Sequence, residues 1–239
     1  GLVRAVSSTV FTDDPARLMR APRLAAQLRF SIADETSEAI RRQAHLVATV
    51  APERVREELL RLLAQPSAAS SLRLLDDLGL LCLVIPELAE ARGVTQPKEH
   101  HWDVFEHCIE TAGQVERLLP TGDGEPRGFV AETAPRPHDL DEHFDRDAGD
   151  GHDRGTMLKL AGLLHDVGKP AAKTVEDSGR IRFLGHHQIG AQVSAQVLTR
   201  LRFSRRGTEL VSRMVEHHLR PSQMAQDGEL PTARAVFRY

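Results

Sequence analysis

Residues 158–170 read LKLAGLLHDVGKP, an apolar segment followed directly by two ionisable residues. Four leucines at helical spacing predict a buried helix: Leu158, Leu160, Leu163 and Leu164. His165 and Asp166 then place two ionisable groups at the end of that helix, where an unpaired polar group is costly. Either partners elsewhere in the fold satisfy these two groups, or the groups hold a metal ion.

The composition predicts a globular protein of one large or two modest domains. The chain has 239 residues, of which 41% are hydrophobic and 27% are charged. Aromatic residues make up only 4%, which argues against the base-stacking platforms of sheet-based RNA binders. A net charge of −3 gives no global attraction to nucleic acid.

Several features that the sequence lacks lead us to expect a cytoplasmic location. Cys82 and Cys108 lack metal or redox spacing, which favours buried free thiols. The longest apolar stretch is broken by Pro86, so we expect no membrane span, and no signal peptide is visible. The chain opens without an initiator methionine, and we expect it to be an excised piece of a longer protein. The oligomeric state is left open.

Hydrophobic periodicity is helical almost throughout, which predicts an all-α fold with at most a short β-hairpin, around Ser178–Gly179. A turn-rich stretch at 90–102 divides the chain into two predicted domains, 1–95 and 96–239. Residues 120–155 are acidic and show no periodicity, and their composition predicts a disordered loop.

The chain has twelve histidines, and the order of some of them along successive predicted helices is informative. His107 lies on one predicted helix, and the pair His165–Asp166 ends the next one. The pair His186–His187 begins a later helix, and the pair His217–His218 ends another. Imidazole and carboxylate groups are the usual ligands of divalent transition metals, so this order predicts a buried polynuclear site. Five of the remaining histidines are more simply interpreted as surface or hydrogen-bonded residues: His100, His101, His138, His143 and His152.

This order, with LLHDVGKP, resembles the HD-domain phosphohydrolases, a helical superfamily with a mono- or binuclear metal centre. The resemblance implies that the domain hydrolyses phosphomonoesters or cyclic phosphodiesters of nucleotides or RNA ends. It also implies that a divalent transition ion or Mg²⁺ is the cofactor. The implied metal ligands are His107, His165, Asp166, His186 and His217, with His218 as a further candidate. Asp166 and Lys169 are the implied catalytic residues, and Lys169 is expected to face an anionic substrate.

One departure from that family concerns its closing ligand. The family closes its site with an aspartate on a later helix, and the remaining sequence offers only Asp227, in a DGELP turn. We therefore expect the closing helix to lie beyond Tyr239.

The first hundred residues carry a second resemblance. FTDDPARLMRAPRLAAQLRFSIADET at 11–36, APERVREELLRLL at 51–63 and the following segments are similar to the region after the catalytic head of bacterial CCA-adding enzymes (tRNA nucleotidyltransferases) and poly(A) polymerases. The resemblance implies that Asp14 and Arg17 read the incoming nucleotide base and that Arg20 and Arg23 continue a basic face. The implied partners are a nucleotide and the 3′ end of tRNA or another RNA.

Two positions depart from this second pattern, and one alternative stays open. Pro22 stands where a small aliphatic residue is expected, and Arg29 stands where glycine is usual. Periodicity alone favours a solvated amphipathic face for the arginines. ERVREE, from Glu53, matches a supporting motif of the same family.

Three hypotheses follow for the function. No Gly-rich turn with two strand-borne aspartates is present in this sequence, so it should not polymerise nucleotides by itself. The first hypothesis is a helical nucleotide- and RNA-contacting body with an HD phosphohydrolase domain. The second is a non-enzymatic RNA-binding module whose HD domain is a scaffold. The third is a free-standing nucleotide phosphohydrolase whose amino-terminal helices only pack.

Overall fold

The computed structural model describes residues 1–96, 101–119, 139–224 and 232–238, and it confirms the helical fold class. Helices α1 to α7 are Val10–Asp13, Arg17–Leu28, Asp34–Gln43, Pro52–Leu63, Ala68–Asp77, Leu81–Val84 and Val104–Val115. Helices α8 to α14 are Leu140–Asp145, Arg154–Leu164, Lys169–Ala172, His186–Arg200, Arg205–His217, Arg220–Met224 and Ala233–Arg238. Two 3₁₀ segments are Ala44–Thr49 and Pro86–Ala91. None of the described helices is long and apolar enough to cross a membrane.

Short strands form three two-stranded pairs within the described residues. The pairs are β1 (Leu2–Val3) with β2 (Ser31–Ile32), in parallel, and β3 (Asp147–Gly149) with β4 (His152–Asp153) and β5 (Thr174–Val175) with β6 (Ile181–Arg182), both antiparallel. The last pair is the predicted hairpin, and Gly179 has the positive φ of +79° that its turn requires. The other two pairs are too short to produce an alternating pattern in the sequence.

The acidic segment is ordered where the structure describes it, so the disordered loop predicted at 120–155 is wrong from residue 139 onwards. These residues form α8, β3 and β4. Their carboxylates have specific partners: Asp150 accepts hydrogen bonds from the backbone and hydroxyl of Ser204 and pairs with Arg56. Asp153 caps α9 by accepting from the backbone N–H of Thr156 at 2.6 Å. Residues 120–138 lie outside the described residues.

Helix α2 explains one departure noted in the sequence. Arg29 follows its last residue and has φ +53°, the left-handed conformation that glycine adopts without strain. The backbone N–H of Arg29 closes the helix by bonding to the carbonyls of Ala25 and Ala26. Asp14 lies before the first residue of the helix and accepts a hydrogen bond from the backbone N–H of Ala16.

The apolar core is continuous between the two predicted domains. Leu59 and Leu72 from the first half belong to the same buried cluster as Leu160 and Leu163 from the second. Helix α5 packs against α7, and α4 packs against α9. The boundary at 95/96 therefore stays a prediction, since the two segments share one core.

A buried lysine and its carboxylate partner, both from the second half, join the two halves. Lys159 on α9 is 5% exposed and donates to the carbonyls of Leu63 and Gln65, at the end of α4, and to Glu116 at 2.9 Å. Glu116 in turn accepts from the backbone N–H groups of Ser67–Ala68, where α5 begins. One lysine and one carboxylate thus satisfy polar groups at the ends of two helices.

We expect Lys159→Met to lower the free energy of unfolding by about 3 kcal/mol, because it leaves Glu116 and two carbonyls without their cation. Chemical denaturation followed by circular dichroism measures the change. The matched control is Lys173→Met, which loses an exposed hydrogen bond to Thr95 and should cost less than about 1 kcal/mol. Equal losses of unfolding free energy in the two variants would contradict the role of Lys159 in joining the two halves.

Candidate metal centre

Four helices contribute side chains to one buried site, mostly from their ends. His107 lies in the first turn of α7, and His165 and Asp166 follow the last residue of α9. His186 begins α11, and His218 follows the last residue of α12. Because α9 packs against both α7 and α12, and α11 packs against α12, these ends meet.

Asp166 is the centre of this cluster and is 1% exposed. Its Oδ2 lies 3.3 Å from Nε2 of His107 and 3.1 Å from Nε2 of His165. Its Oδ1 lies 3.2 Å from Nε2 of His186 and 3.6 Å from Nε2 of His218. The five side chains therefore form two potential ligand groups that share one carboxylate.

The ring orientation of three histidines is fixed by the backbone. Nδ1 of His165, His186 and His218 each lies within hydrogen-bond distance of a carbonyl oxygen. The carbonyls belong to Gly162, Phe183 and Val215, at 2.8, 2.6 and 2.7 Å respectively. A carbonyl can only accept, so Nδ1 donates, and Nε2 carries a lone pair whenever the ring is neutral. Such a second hydrogen bond is typical of histidines that bind metal.

The donor set fits a divalent metal ion. Nε2 of His186 and Nε2 of His218 face each other at 3.3 Å. Oδ1 of Asp166 is buried and accepts no hydrogen bond from any described residue. Lone pairs that converge on an unsatisfied carboxylate oxygen are what a cation between them would bind.

The protonation states agree with that interpretation. Burial by itself raises the pKa of Asp166, but the imidazoles of His107, His165 and His186 hold the pKa well below its usual range, so the carboxylate is ionised. Burial, together with the neighbouring histidines, lowers the pKa of His218 to about 4. His218 is therefore neutral at pH 7 and available as a ligand.

Lys169 lies inside the cluster and not at its mouth. It is 7% exposed, and its Nζ is 2.6 Å from Oδ2 of Asp166 and 2.6 Å from Oε1 of Gln96. The ring of Phe183 lies 5.3 Å from the same nitrogen. The expected contact of Lys169 with an anionic substrate stays a prediction, and no sequence pattern marked Gln96 or Phe183.

Of the two adjacent candidates at the end of α12, the structure places His218 in the cluster. His217 belongs to neither ligand group that the described residues form. The same holds for His101, His143 and His152. His100, His138 and Asp227 lie outside the described residues.

The predicted nucleotide-contacting residues form a separate cluster on α2 and just before it. Arg20 and Arg23 do not present a simple basic face, because their Nε atoms contact the buried Glu58 at 3.1 and 2.8 Å. Asp14 pairs with Arg54 at 3.0 Å. Partial burial raises the pKa of Asp14, but Arg54 outweighs this and holds it below its usual range.

These contacts give the ERVREE segment a physical role. Arg54 and Glu58 both belong to it, and together they bind three of the four predicted residues. Arg17 lies 3.7 Å from Asp14, and its side chain is 43% exposed. A cavity of about 270 Å³ beside Arg17 and Arg20 is otherwise lined by Arg4 and mainly apolar side chains.

Comparison with known families now places the chain. The family model described as HD domain matches residues 104–237. The chain belongs to the HD domain family. A second model, described as probable RNA and SrmB-binding site of polymerase A, matches residues 29–92 of this HD-domain chain. Both resemblances identified in the sequence are thereby confirmed, in the predicted order.

Relatives of this HD-domain protein are similar over almost its whole length. An A-adding tRNA nucleotidyltransferase of Deinococcus radiodurans is 35% identical over 224 residues, which is 91% of this chain and 44% of the relative. A CC-adding tRNA nucleotidyltransferase of Thermus thermophilus is 36% identical over 95% of this chain and 44% of its own length. The chain thus spans less than half of these relatives. A solved CCA-adding enzyme with ATP matches 97% of this chain and 65% of its own, at 15% identity and a TM-score of 0.38.

Adjacent histidines of α12 give a matched test of the metal centre. We expect His218→Ala to weaken Mn²⁺ binding at least about tenfold, because one of the Nε2 ligands is removed. His217→Ala should leave binding unchanged, and His165→Ala with Asp166→Ala should abolish it. Calorimetric titration of metal-free protein with Mn²⁺ measures each affinity. Equal losses from His217→Ala and His218→Ala would contradict the ligand assignment.

Proposed function

We propose that the HD domain of this chain is a metal-dependent phosphohydrolase and that the helices before this domain contact RNA and nucleotide. One observation supports the hydrolase most directly: imidazole nitrogens on four helix ends converge on the two oxygens of the buried, ionised Asp166. No other cluster of the described residues offers three such ligands within binding distance.

The proposed metal ligands fall into two sets. His107 and His165 share Oδ2 of Asp166, and His186 and His218 share Oδ1. A divalent ion in such a site supplies Lewis-acid chemistry that activates water and neutralises phosphate charge. The ligand types accept a transition ion or Mg²⁺, and the identity is left open.

Groups of the chain itself orient the proposed metal ligands. Carbonyl groups hold three imidazoles with Nε2 inward, so that little side-chain freedom is lost when a cation binds. We propose that Asp166 supplies the negative charge of the centre and that Lys169, the ammonium nearest to it, balances the charge of a phosphate group.

The proposed substrates are phosphomonoesters or cyclic phosphodiesters of nucleotides or RNA ends. The support is the combination of an HD-domain match with relatives whose names describe tRNA nucleotidyltransferases. The proposed partners are therefore the 3′ end of tRNA or another RNA, and a nucleotide. A cytoplasmic location is part of the same proposal.

Hydrolysis is tested with the purified chain loaded with Mn²⁺, Ni²⁺ or Mg²⁺ in turn. We expect release of phosphate from nucleoside monophosphates, or ring opening of 2′,3′-cyclic nucleotides. The combined changes His165→Ala and Asp166→Ala should abolish the activity, whereas His217→Ala should retain it. Product analysis by anion-exchange chromatography measures both reactions. Full metal binding without turnover of either substrate class would contradict the hydrolase.

A non-enzymatic RNA-binding role is the second candidate. The match of residues 29–92 to a probable RNA-binding site favours it. In this case the same helical body binds RNA, and the metal centre only stabilises the fold.

The RNA-contacting face is tested by charge-matched variants. Arg17→Ala with Arg20→Ala removes two side chains that are 43% and 42% exposed, and we expect weaker tRNA binding. The slope of log affinity against log salt should fall by about 0.7–0.9 for each phosphate that the variant no longer neutralises. Arg205→Ala with Arg206→Ala removes the same charge from α12 and serves as the control. Filter binding at several salt concentrations measures the slope, and equal effects of the two double variants would exclude a specific face.

A further inference from the structure

The segment between the two matched regions supplies a contact to the metal centre. Residues 93–96, here called the connecting strip, follow the RNA-binding match and precede α7. Two lysines from the other side of the site reach this strip: Nζ of Lys169 donates to Oε1 of Gln96 at 2.6 Å, and Nζ of Lys173 donates to Oγ1 of Thr95 at 3.0 Å. Only the first of these lysines touches the proposed metal ligands.

We propose that Gln96 is a positioning residue that holds the ammonium of Lys169 when a metal ion occupies Oδ2 of Asp166. This inference rests on the metal centre proposed above. It assigns a role to a residue that lies outside both matched family models.

The need for such a residue follows from competition at one oxygen. Oδ2 of Asp166 contacts Lys169 at 2.6 Å, and it is also the oxygen shared by His107 and His165. A divalent ion bound by those two histidines would repel the ammonium and take over its carboxylate oxygen. Lys169 is buried, so it needs another acceptor before it can give up that oxygen.

Gln96 is suited to provide that acceptor. Its Oε1 already lies at hydrogen-bond distance from Nζ of Lys169, and its Nε2 donates to the carbonyl of Trp102 at 3.2 Å. Because the amide is neutral, it can hold the ammonium without cancelling the charge that would face a phosphate. The ring of Phe183 on another side of the lysine adds a cation–π contact.

The connecting strip is held in place by the start of α7. The backbone N–H of Gly93 donates to Oδ2 of Asp103 at 2.7 Å, and Val94 accepts from the N–H of Val104 at 3.1 Å. Arg92, the residue just before the strip, stacks on the ring of Phe105 at 3.8 Å. Gln96 therefore enters the site from a segment that is fixed before any ligand binds.

The test compares two neighbouring substitutions in the full chain by calorimetric titration of the metal-free protein with Mn²⁺. Gln96→Leu removes the acceptor of Lys169 and should lower Mn²⁺ affinity about tenfold, as removal of an outer-shell partner does. Thr95→Val removes the acceptor of Lys173 and should leave the affinity unchanged. Gln96→Glu keeps an acceptor and attracts the ammonium away from Asp166, so the affinity should equal or exceed that of the unchanged chain.

The loss expected for Gln96→Leu and the retained affinity expected for Gln96→Glu separate positioning from a general loss of structure, and the glutamate variant carries the test if the leucine variant does not fold. Unchanged affinity in Gln96→Leu, or an equal loss in Thr95→Val and Gln96→Glu, would overturn the positioning role. If His165→Ala with Asp166→Ala still abolishes binding in that case, the metal centre stands and only the role of Gln96 is wrong. Absence of Mn²⁺ binding by the unchanged chain would overturn both proposals.

Discussion

The charge of Asp166 is the constraint on which the second half of the molecule depends. A carboxylate that is 1% exposed is stable only when its surroundings replace water, and here four imidazoles and one ammonium lie within 3.6 Å of its oxygens. Three of these partners, His107, His186 and His218, come from helices that are more distant in the chain. The packing of α7, α9, α11 and α12 is therefore tied to one requirement, that their ends reach the same buried group.

Helix ends are well suited to this task. Each of His165, His186 and His218 bonds to the carbonyl three residues before it, and two of these histidines stand directly after the last residue of a helix. Carbonyls in the last turn have no partner within the helix, so an imidazole can use one without breaking the backbone pattern. The same bond fixes the tautomer and aims Nε2 inward. A backbone carbonyl that has no partner within the helix thus orients a metal ligand.

Charge pairing also joins the two halves. Lys159 contacts Glu116 and the end of α4, Asp150 contacts Arg56, and Arg73 contacts Glu106. The continuous apolar core adds to these contacts, so the helices matched to an RNA-binding site and the metal centre pack as neighbours. In such an arrangement a residue from the connecting strip can reach a lysine of the centre, as Gln96 does.

The sequence by itself determined the helical class, the β5–β6 hairpin and the order of the histidines, because apolar periodicity, turn residues and motifs are local properties. It could not choose between His217 and His218, since adjacent residues on a helix point about 100° apart and packing decides which one faces inward. Arg23 looked like part of a basic face until the tertiary structure paired it with Glu58, 35 residues away. The acidic residues after 139 looked disordered for the same reason: their partners, such as Arg56 and Ser204, are distant in the chain. Only the folded chain brings such partners together, because buried charges are satisfied across elements and leave no periodic trace.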